Sequence, residues 1–422
     1  MPSKKRLKYF LKSLGPGFIT GASDDDPSGI ATYSQTGAQF GLKQIWTCLF
    51  SLPFMIVIQE MCARIGMVSG TGLAGVMRKY SSKKLLFFSV TLLLIANTIN
   101  IGADLGAMAA ALQLLIPLPF IVLLLLITAG TLILEIFVSY HVYVRILKYF
   151  ALSLLAYVVT VFLVNLDWGK VVLNTFIPHI TWSKDYILAI VAILGTTISP
   201  YLFFWQANEE VEEEIEEGKI AISGVGRPKI SRRDIKKMRF DTVVGMFFSN
   251  LIAFFIIITT AATLNTHDIT DIQTATDAAQ ALRPFGGTLA FILFTIGIVG
   301  TGLLSVPVLA GSASYAISEA FKWHAGLYRK LSQAHGFYGV ITIATILGLL
   351  VNFLHIPPFK MLFYTAILNG VIAVPLMVVI LRIANNKRIM GEYINSWFSN
   401  LLGWAITLVM MGAVGAMVVN FW

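Results

Sequence analysis

The stretch Gly15-Pro16-Gly17-Phe18-Ile19-Thr20-Gly21-Ala22-Ser23-Asp24-Asp25-Asp26-Pro27-Ser28-Gly29-Ile30-Ala31-Thr32 sets three consecutive carboxylates inside a run long enough to cross a bilayer. A charged side chain at the centre of a transmembrane helix costs at least ~2.5–3.5 kcal/mol on insertion scales, so three require compensation. Pro27 removes an amide donor, and Ser28 and Gly29 permit an unwound turn. Unwinding frees backbone carbonyls, and carboxylates beside bare carbonyls make a site for a hard cation. The plainer alternative, that the aspartates end the span and face water, fits poorly because apolar sequence continues on both sides.

A second interruption matches the first. Leu194-Gly195-Thr196-Thr197-Ile198-Ser199-Pro200-Tyr201-Leu202-Phe203-Phe204-Trp205-Gln206 carries a mid-span proline preceded by hydroxyl residues and a glycine. A lone proline usually means a kink. Two interrupted spans at corresponding places in two halves are the mark of an inverted-repeat transporter.

The rest of the chain agrees. Of 422 residues, 57% are hydrophobic and 13% charged, against roughly a quarter charged in soluble domains. The apolar residues come in runs near the ~20 needed to span a bilayer. Runs near 14–37, 43–66, 86–114, 118–140, 146–166, 186–207, 240–264, 286–318, 336–355, 361–382 and 396–420 predict about 11 transmembrane helices in an all-α polytopic membrane protein. A soluble enzyme, a disordered chain and a disulfide-stapled secreted domain are excluded. The expected division is a first repeat over about 14–168, a second over about 186–385, and an extra helix over about 396–420.

The formal charge of +9 suggests nucleic acid only until its distribution is seen. With the N-terminus placed in the cytoplasm, the outer segments hold only Lys43, Lys170, Lys184, Arg283 and Lys360, and every other Lys and Arg lies inside. That positive-inside bias predicts a multi-pass protein of the plasma membrane with a cytoplasmic N-terminus. Its expected partners are the lipid bilayer and a hard cation, with no nucleic acid and no cofactor; the oligomeric state is left open, with a monomer plausible. Met1 to Lys12 reads as a cytoplasmic tail, since no short apolar core with a small-residue cleavage site follows it. Residues 207–239 read as a cytoplasmic loop with an acidic run (Glu209 to Glu217) and then a basic one (Arg227 to Arg239), a solvated connector or else a gate or cation site.

Other polar residues fall in the spans. Asn97, Asn100 and Asp104, at i, i+3 and i+7, share one helix face, a stripe fit for a water or ion path or for structural hydrogen bonds. Glu135 lies near a span end and reads as structural, while Asn369 and Gly370 are expected at the border of the cavity. Cys48 and Cys62 are 14 positions apart, about 21 Å along a helix at ~1.5 Å per residue, too far to bridge. The six histidines lie at span ends or in loops, and no motif of metalloprotease, phosphate-binding or Ser-His-Asp type occurs.

Gly15-Pro16 followed by Asp26-Pro27-Ser28-Gly29 resembles the first helix of the natural resistance-associated macrophage protein (NRAMP) metal transporters, whose pattern there is Asp-Pro-Gly-Asn. Thr196-Thr197-Ile198-Ser199-Pro200-Tyr201 resembles their sixth-helix Ala-Thr-Val-Met-Pro-His, and Asp104-Leu105 their third-helix Asp-Leu. The resemblance runs through helices 1 to 10. It implies the leucine-transporter-like (APC) fold, a 5+5 inverted repeat with helices 1 and 6 broken, and alternating access around a midplane metal site.

By that resemblance, Asp26 holds the ion, the carbonyls of Ser23 and Thr196 face it, and Gly29, Thr197 and Ser199 line it. Asp25, like Asp24, has no counterpart and is assigned to the electrostatics of the site. Asp104, Asn100 and Tyr201 belong to the water or ion path. Gly29 stands where the family has asparagine and Ser199 where it has methionine. Loss of the thioether favours hard ions, and smaller side chains suggest a wider site. The expectation is therefore a transporter of Mg²⁺, with Mn²⁺ also carried, like the bacterial NRAMP-related magnesium branch. Ala107 and Tyr201 stand where the family has glutamate and histidine, which predicts transport without obligatory protons. The alternatives are a proton-coupled Mn²⁺/Fe²⁺ transporter, an Al³⁺ carrier, a Na⁺-coupled amino-acid symporter on the same fold, and a membrane scaffold.

Overall fold

Two prolines dictate the most consequential feature of the architecture. α1 (Pro16–Asp24) and α2 (Pro27–Phe40) are halves of one broken helix. α9 (Lys184–Thr197) and α10 (Pro200–Glu216) are halves of another. Both breaks share one backbone pattern. The helix stops at a residue with ψ near 50° (Asp25) or 66° (Ile198). The next residue, Asp26 or Ser199, is extended, and Pro27 or Pro200 then starts the new helix. Proline is tolerated at that first position because its missing N–H would be unpaired there anyway.

The computed structural model describes residues 15–138, 152–287, 289–354 and 356–421. Between the broken helices lie α3 (Trp46–Ser69), the short α4 (Leu73–Tyr80), α5 (Lys83–Leu112) and α6 (Phe120–Phe137). A pair bent by 120° follows, α7 (Leu155–Leu163) and α8 (Trp168–Phe176). The second half continues with α11 (Arg232–Thr263), α12 (Leu289–Phe321), α13 (His335–Val351) and α14 (Pro358–Ala384), and α15 (Trp397–Phe421) comes last.

Nine of the described helical spans are long and apolar enough to cross a membrane, and the bent pair makes ten. The α1–α2 pair is not among them, because its two pieces are short. The tail Met1 to Lys12, part of the fifth predicted span with Arg145 and Lys148, and two of the histidines, His141 and His355, lie outside the described residues. Cys48 and Cys62 are buried and unbridged.

α1 is held against α11 by missing side chains. A Cβ on Gly17 would lie 2.6 Å from the Thr242 amide nitrogen, and one on Gly21 would lie 2.7 Å from Gly245 Cα. Small residues four apart let two helix backbones touch, the usual means of packing inside a membrane. The start of α1 is capped from the same neighbour. Asp241 accepts hydrogen bonds from the amides of Gly15 (2.9 Å) and Gly17 (2.7 Å).

The span 207–239 departs from the loop that its charge pattern suggests. Its acidic run continues α10 as far as Glu216, and its basic run enters α11 at Arg232. Glu209, Glu210, Glu212 and Glu214 are all buried. Glutamate is a good helix former, and two of these side chains find partners inside. Glu212 accepts from the Tyr315 hydroxyl and from the Leu327 amide (2.7 Å), and Glu210 accepts from Gln206 (2.8 Å).

Candidate metal-ion site

Asp26 is where the two broken helices and α5 meet. It is the N-cap of α2, and its Oδ1 accepts from the Gly29 amide and the Ser28 hydroxyl, both at 2.7 Å. One carboxylate oxygen thus satisfies a helix start, where the macrodipole also favours negative charge. The other oxygen, Oδ2, faces across the bundle. Asn100 Nδ2 on α5 lies 3.3 Å from it and the Tyr201 hydroxyl on α10 lies 3.4 Å from it. The same hydroxyl donates to the Ser23 carbonyl at 3.1 Å. Asp26, the Ser23 carbonyl, Asn100 and Tyr201 therefore form one group contributed by four helices.

On the other break, the Ser199 hydroxyl turns back to the carbonyls of Thr196 (2.6 Å) and Gly195 (3.0 Å) and does not cap α10. Gly29 joins the two breaks. A Cβ there would meet Thr196 Oγ1 at 3.2 Å and the Asp24 carbonyl at 3.4 Å. The room that the substitution for asparagine suggests is therefore taken up by Thr196 and by the Tyr33 ring, also 3.4 Å away. The C-terminal ends of α1 and α9 both point at this junction, and helix C-termini carry partial negative charge. Carboxylate oxygen, carbonyl oxygen and two negative helix ends form an environment for a hard cation.

Other residues of the sequence-based set stand apart from Oδ2. Thr197 bonds the Tyr33 hydroxyl at 3.1 Å, which ties α9 to α2. Asp24 and Asp25 turn to Ser249 on α11, at 2.7 and 3.2 Å. Among the described residues no three His, Cys, Asp or Glu side chains gather as a ligand cluster. The three aspartates thus serve two directions. Asp104 accepts from Ser305 on α12 at 2.8 Å, and Asn97 donates to the Leu309 carbonyl and to Ser312 on that helix. Asn97 is a structural bond, whereas Asp104 Oδ1 and Asn100 Oδ1 are buried without a partner among the described residues.

Asn369 is buried with its amide nitrogen unpartnered, and Gly370 lets α14 approach Gly195 on α9. Glu135 sits in the last turn of α6.

Sequence reasoning missed Ser28 as a partner of Asp26, along with Ser249, Ser305 and Tyr33. Ser28 lies inside the motif, two residues after Asp26, where Asp before a helix-starting Pro27 is itself an N-cap signal. The other three carry none, since a serine or tyrosine in a long span looks like packing.

The site is buried. Asp26 is 1% exposed and Asp104 0%. At the end carrying Phe40, a cavity of about 300 Å³ is lined by Ala31, Gln35, Asp185, Asp271, Lys360 and Tyr364. Tyr33, bonded to Thr197, lies between that vestibule's Gln35 and Asp26 along α2.

An all-helical membrane chain with two broken helices that meet at a buried carboxylate has the architecture of a transporter. The chain belongs to the natural resistance-associated macrophage protein-like family, whose model matches residues 17–420. It is 26% identical over 400 residues to the divalent metal cation transporter MntH of Caldanaerobacter subterraneus, covering 94% of this chain and 90% of that one. It is also 26% identical to the divalent metal cation transporter MntH of Deinococcus radiodurans, over 97% of this chain and 90% of that one. The fold matches the Eremococcus coleocola manganese transporter with a TM-score of 0.75 at 16% identity, over 96% of this chain and 86% of that one. It also matches MhsT, solved with L-phenylalanine, with a TM-score of 0.59 at 13% identity, over 96% and 98%. The chain is a multi-pass membrane transporter of the NRAMP type, and its fold is leucine-transporter-like.

Proposed function

We propose that this chain carries Mn²⁺ across the plasma membrane by alternating access, with Asp26 Oδ2 as the anchoring ligand. The observation that carries the reading is the division of labour at Asp26, where one oxygen is fixed on α2 and the other is turned toward α5 and α10. The Mn²⁺ assignment rests on the relatives, one of them a solved manganese transporter. The Ser23 and Thr196 carbonyls would supply further oxygens, with Gly29, Ser199 and Thr197 around them and Asp25 adding negative charge nearby. Asn100, Tyr201 and Asp104 would line the way in or out. The Lys and Arg distribution supports placing the Pro16 end of the bundle, with the N-terminus, in the cytoplasm.

A second reading, Mg²⁺ as a principal cargo, is supported by the donor set. Ser199 replaces a thioether, and every polar atom around Asp26 is oxygen or amide nitrogen. Thioether ligands favour softer metals, and oxygen ligands suit Mg²⁺ and Mn²⁺ alike. Weak rejection of Mg²⁺ follows from this chemistry even if Mn²⁺ is the preferred ion. The proposal contains no obligatory proton step, because Ala107 offers no proton and the Tyr201 hydroxyl is held by Ser23.

The test is uptake into liposomes holding the purified protein and a metal-sensitive dye. Saturable Mn²⁺ uptake that Asp26→Ala abolishes is the expected result. Uptake unaffected by that substitution overturns the assignment of the site. Competition by excess Mg²⁺ decides between the readings: strong inhibition, together with direct Mg²⁺ uptake, supports the second.

A further inference from the structure

The acidic end of α10 forms a cavity far along the chain from Asp26. Glu210, Glu213, Glu214 and Glu217 line it with Gly15 at the start of α1 and with Lys219, Asp234, Lys237 and Asp241. Most of these charges are already matched. Lys237 pairs with Glu213 (2.9 Å) and Glu217 (3.6 Å), and Lys219 pairs with Glu217 (2.6 Å) and Asp234 (3.1 Å). Asp241 is taken by the amides of Gly15 and Gly17, and Glu210 by Gln206.

Glu214 is the exception. It is 1% exposed, and neither of its carboxylate oxygens has a hydrogen-bond partner among the described residues. The nearest positive charge, the Lys219 ammonium, acts on Glu214 from a distance while bonded to Glu217 and Asp234, and a buried carboxylate without a bonded partner is costly, so the position has room for a cation. Lysine does not fill the need, because both lysines of the cavity are committed to other carboxylates. The Glu213 and Asp241 carboxylates also meet at Gly15, where a Cβ would lie 3.4 Å from Glu213 Oε2 and 3.3 Å from Asp241 Oδ2. The cavity measures about 10 Å³, the room of one water-sized sphere. It communicates with solution past Glu217 and Lys237, whose side chains are 40% and 44% exposed.

We propose that this cavity is a second divalent-cation site, separate from Asp26, with Glu214 as its anchoring carboxylate and Glu213, which exchanges Lys237 for the ion, as the second. No three acidic, His or Cys side chains among the described residues form a closed cage. One or two carboxylates with water completing the shell are the usual way of holding Mg²⁺, and Mn²⁺ shares its preference for oxygen ligands. An ion here joins α10 to the Asp241 segment of α11, which in turn holds the start of α1. The site goes beyond the transport reading and does not depend on it.

The experiment is Mn²⁺ binding, with MnCl₂ as the only ligand, to purified full-length protein by calorimetry and by Mn²⁺-dependent thermal stabilisation. The decisive background is Asp26→Asn. That variant is expected to keep one bound Mn²⁺ and its stabilisation, and adding Glu214→Gln or Glu213→Gln is expected to remove both. The Glu213→Gln arm covers the case in which Glu214→Gln fails to fold. If Asp26→Asn binds no Mn²⁺, or if any double variant that folds still binds one, the second site does not exist. If Glu214-dependent binding persists in a wild-type protein that shows no Mn²⁺ uptake, the transport reading fails while this one stands.

Discussion

The Tyr201 hydroxyl, in the first turn of α10, donates to the Ser23 carbonyl near the end of α1, 178 positions away in sequence, at 3.1 Å. It reaches Asp26 Oδ2 from the same place, at 3.4 Å. One side chain thus joins the two halves of the chain at the carbonyl and the carboxylate that a metal ion would share. Four tests follow from this geometry and from the packing around it.

Ser28 and Tyr201 hold Asp26 from outside any direct ligand set. Removing such supporting partners typically lowers metal affinity about 10–100-fold. Ser28→Ala and Tyr201→Phe are each expected to raise the half-saturating Mn²⁺ concentration in liposome uptake by about tenfold or more. Asp26→Ala should leave only protein-free leakage. Unchanged half-saturation in both supporting variants would show that Asp26 does not act as the anchor.

Ser199→Met puts a thioether where the hydroxyl now bonds the Gly195 and Thr196 carbonyls. Sulfur selects softer metals. The variant is expected to shift competition toward Cd²⁺ and away from Mg²⁺, read as the ratio of their inhibition constants against Mn²⁺ uptake. No shift in that ratio would remove Ser199 from the set that decides selectivity.

Gly21 touches Gly245 so closely that any Cβ must push α1 from α11. Overpacking of this kind typically costs about 1–3 kcal/mol. Gly21→Ala should therefore lower the melting temperature in detergent and weaken Mn²⁺ uptake, because the position of α1 sets the position of the Ser23 carbonyl. Asp241→Asn, which leaves one acceptor oxygen for the two amides of Gly15 and Gly17, should also destabilise, by about 1–3 kcal/mol. Wild-type stability in both variants would contradict this account of how α1 is held.

Transport without obligatory protons has a direct check. Liposomes loaded with a pH-sensitive dye should show Mn²⁺ uptake with no matching acidification. Metal-dependent acidification that is absent from protein-free liposomes would establish coupling, and Asp104, buried on Ser305, would then be the residue to replace first.

Much of the fold was legible because its causes are local. Pro27 and Pro200 follow the polar residues Asp26 and Ser199 and mark helix ends, whereas Pro53, Pro307 and Pro375, each preceded by an apolar residue, stay inside their helices, and apolar runs of bilayer length declare themselves. The acidic run from Glu209 to Glu217 was misread for the opposite reason. Its residues resemble a solvated loop, yet Tyr315 and the Leu327 amide, a hundred positions away, take Glu212 into the interior.

What the sequence determined by itself is most of the membrane spans, the two breaks, and the presence of carboxylate at one of them, since hydrophobic length and a proline set beside polar and small residues are local signals that need no partner. The tertiary structure decided which carboxylate faces which way. Asp24, Asp25 and Asp26 are neighbours of identical chemistry. Ser249 on α11 draws the first two aside, and Ser28, Gly29, Asn100 and Tyr201 fix the third. The direction of a buried charge is set by the donors packed around it, and most of those donors come from other helices.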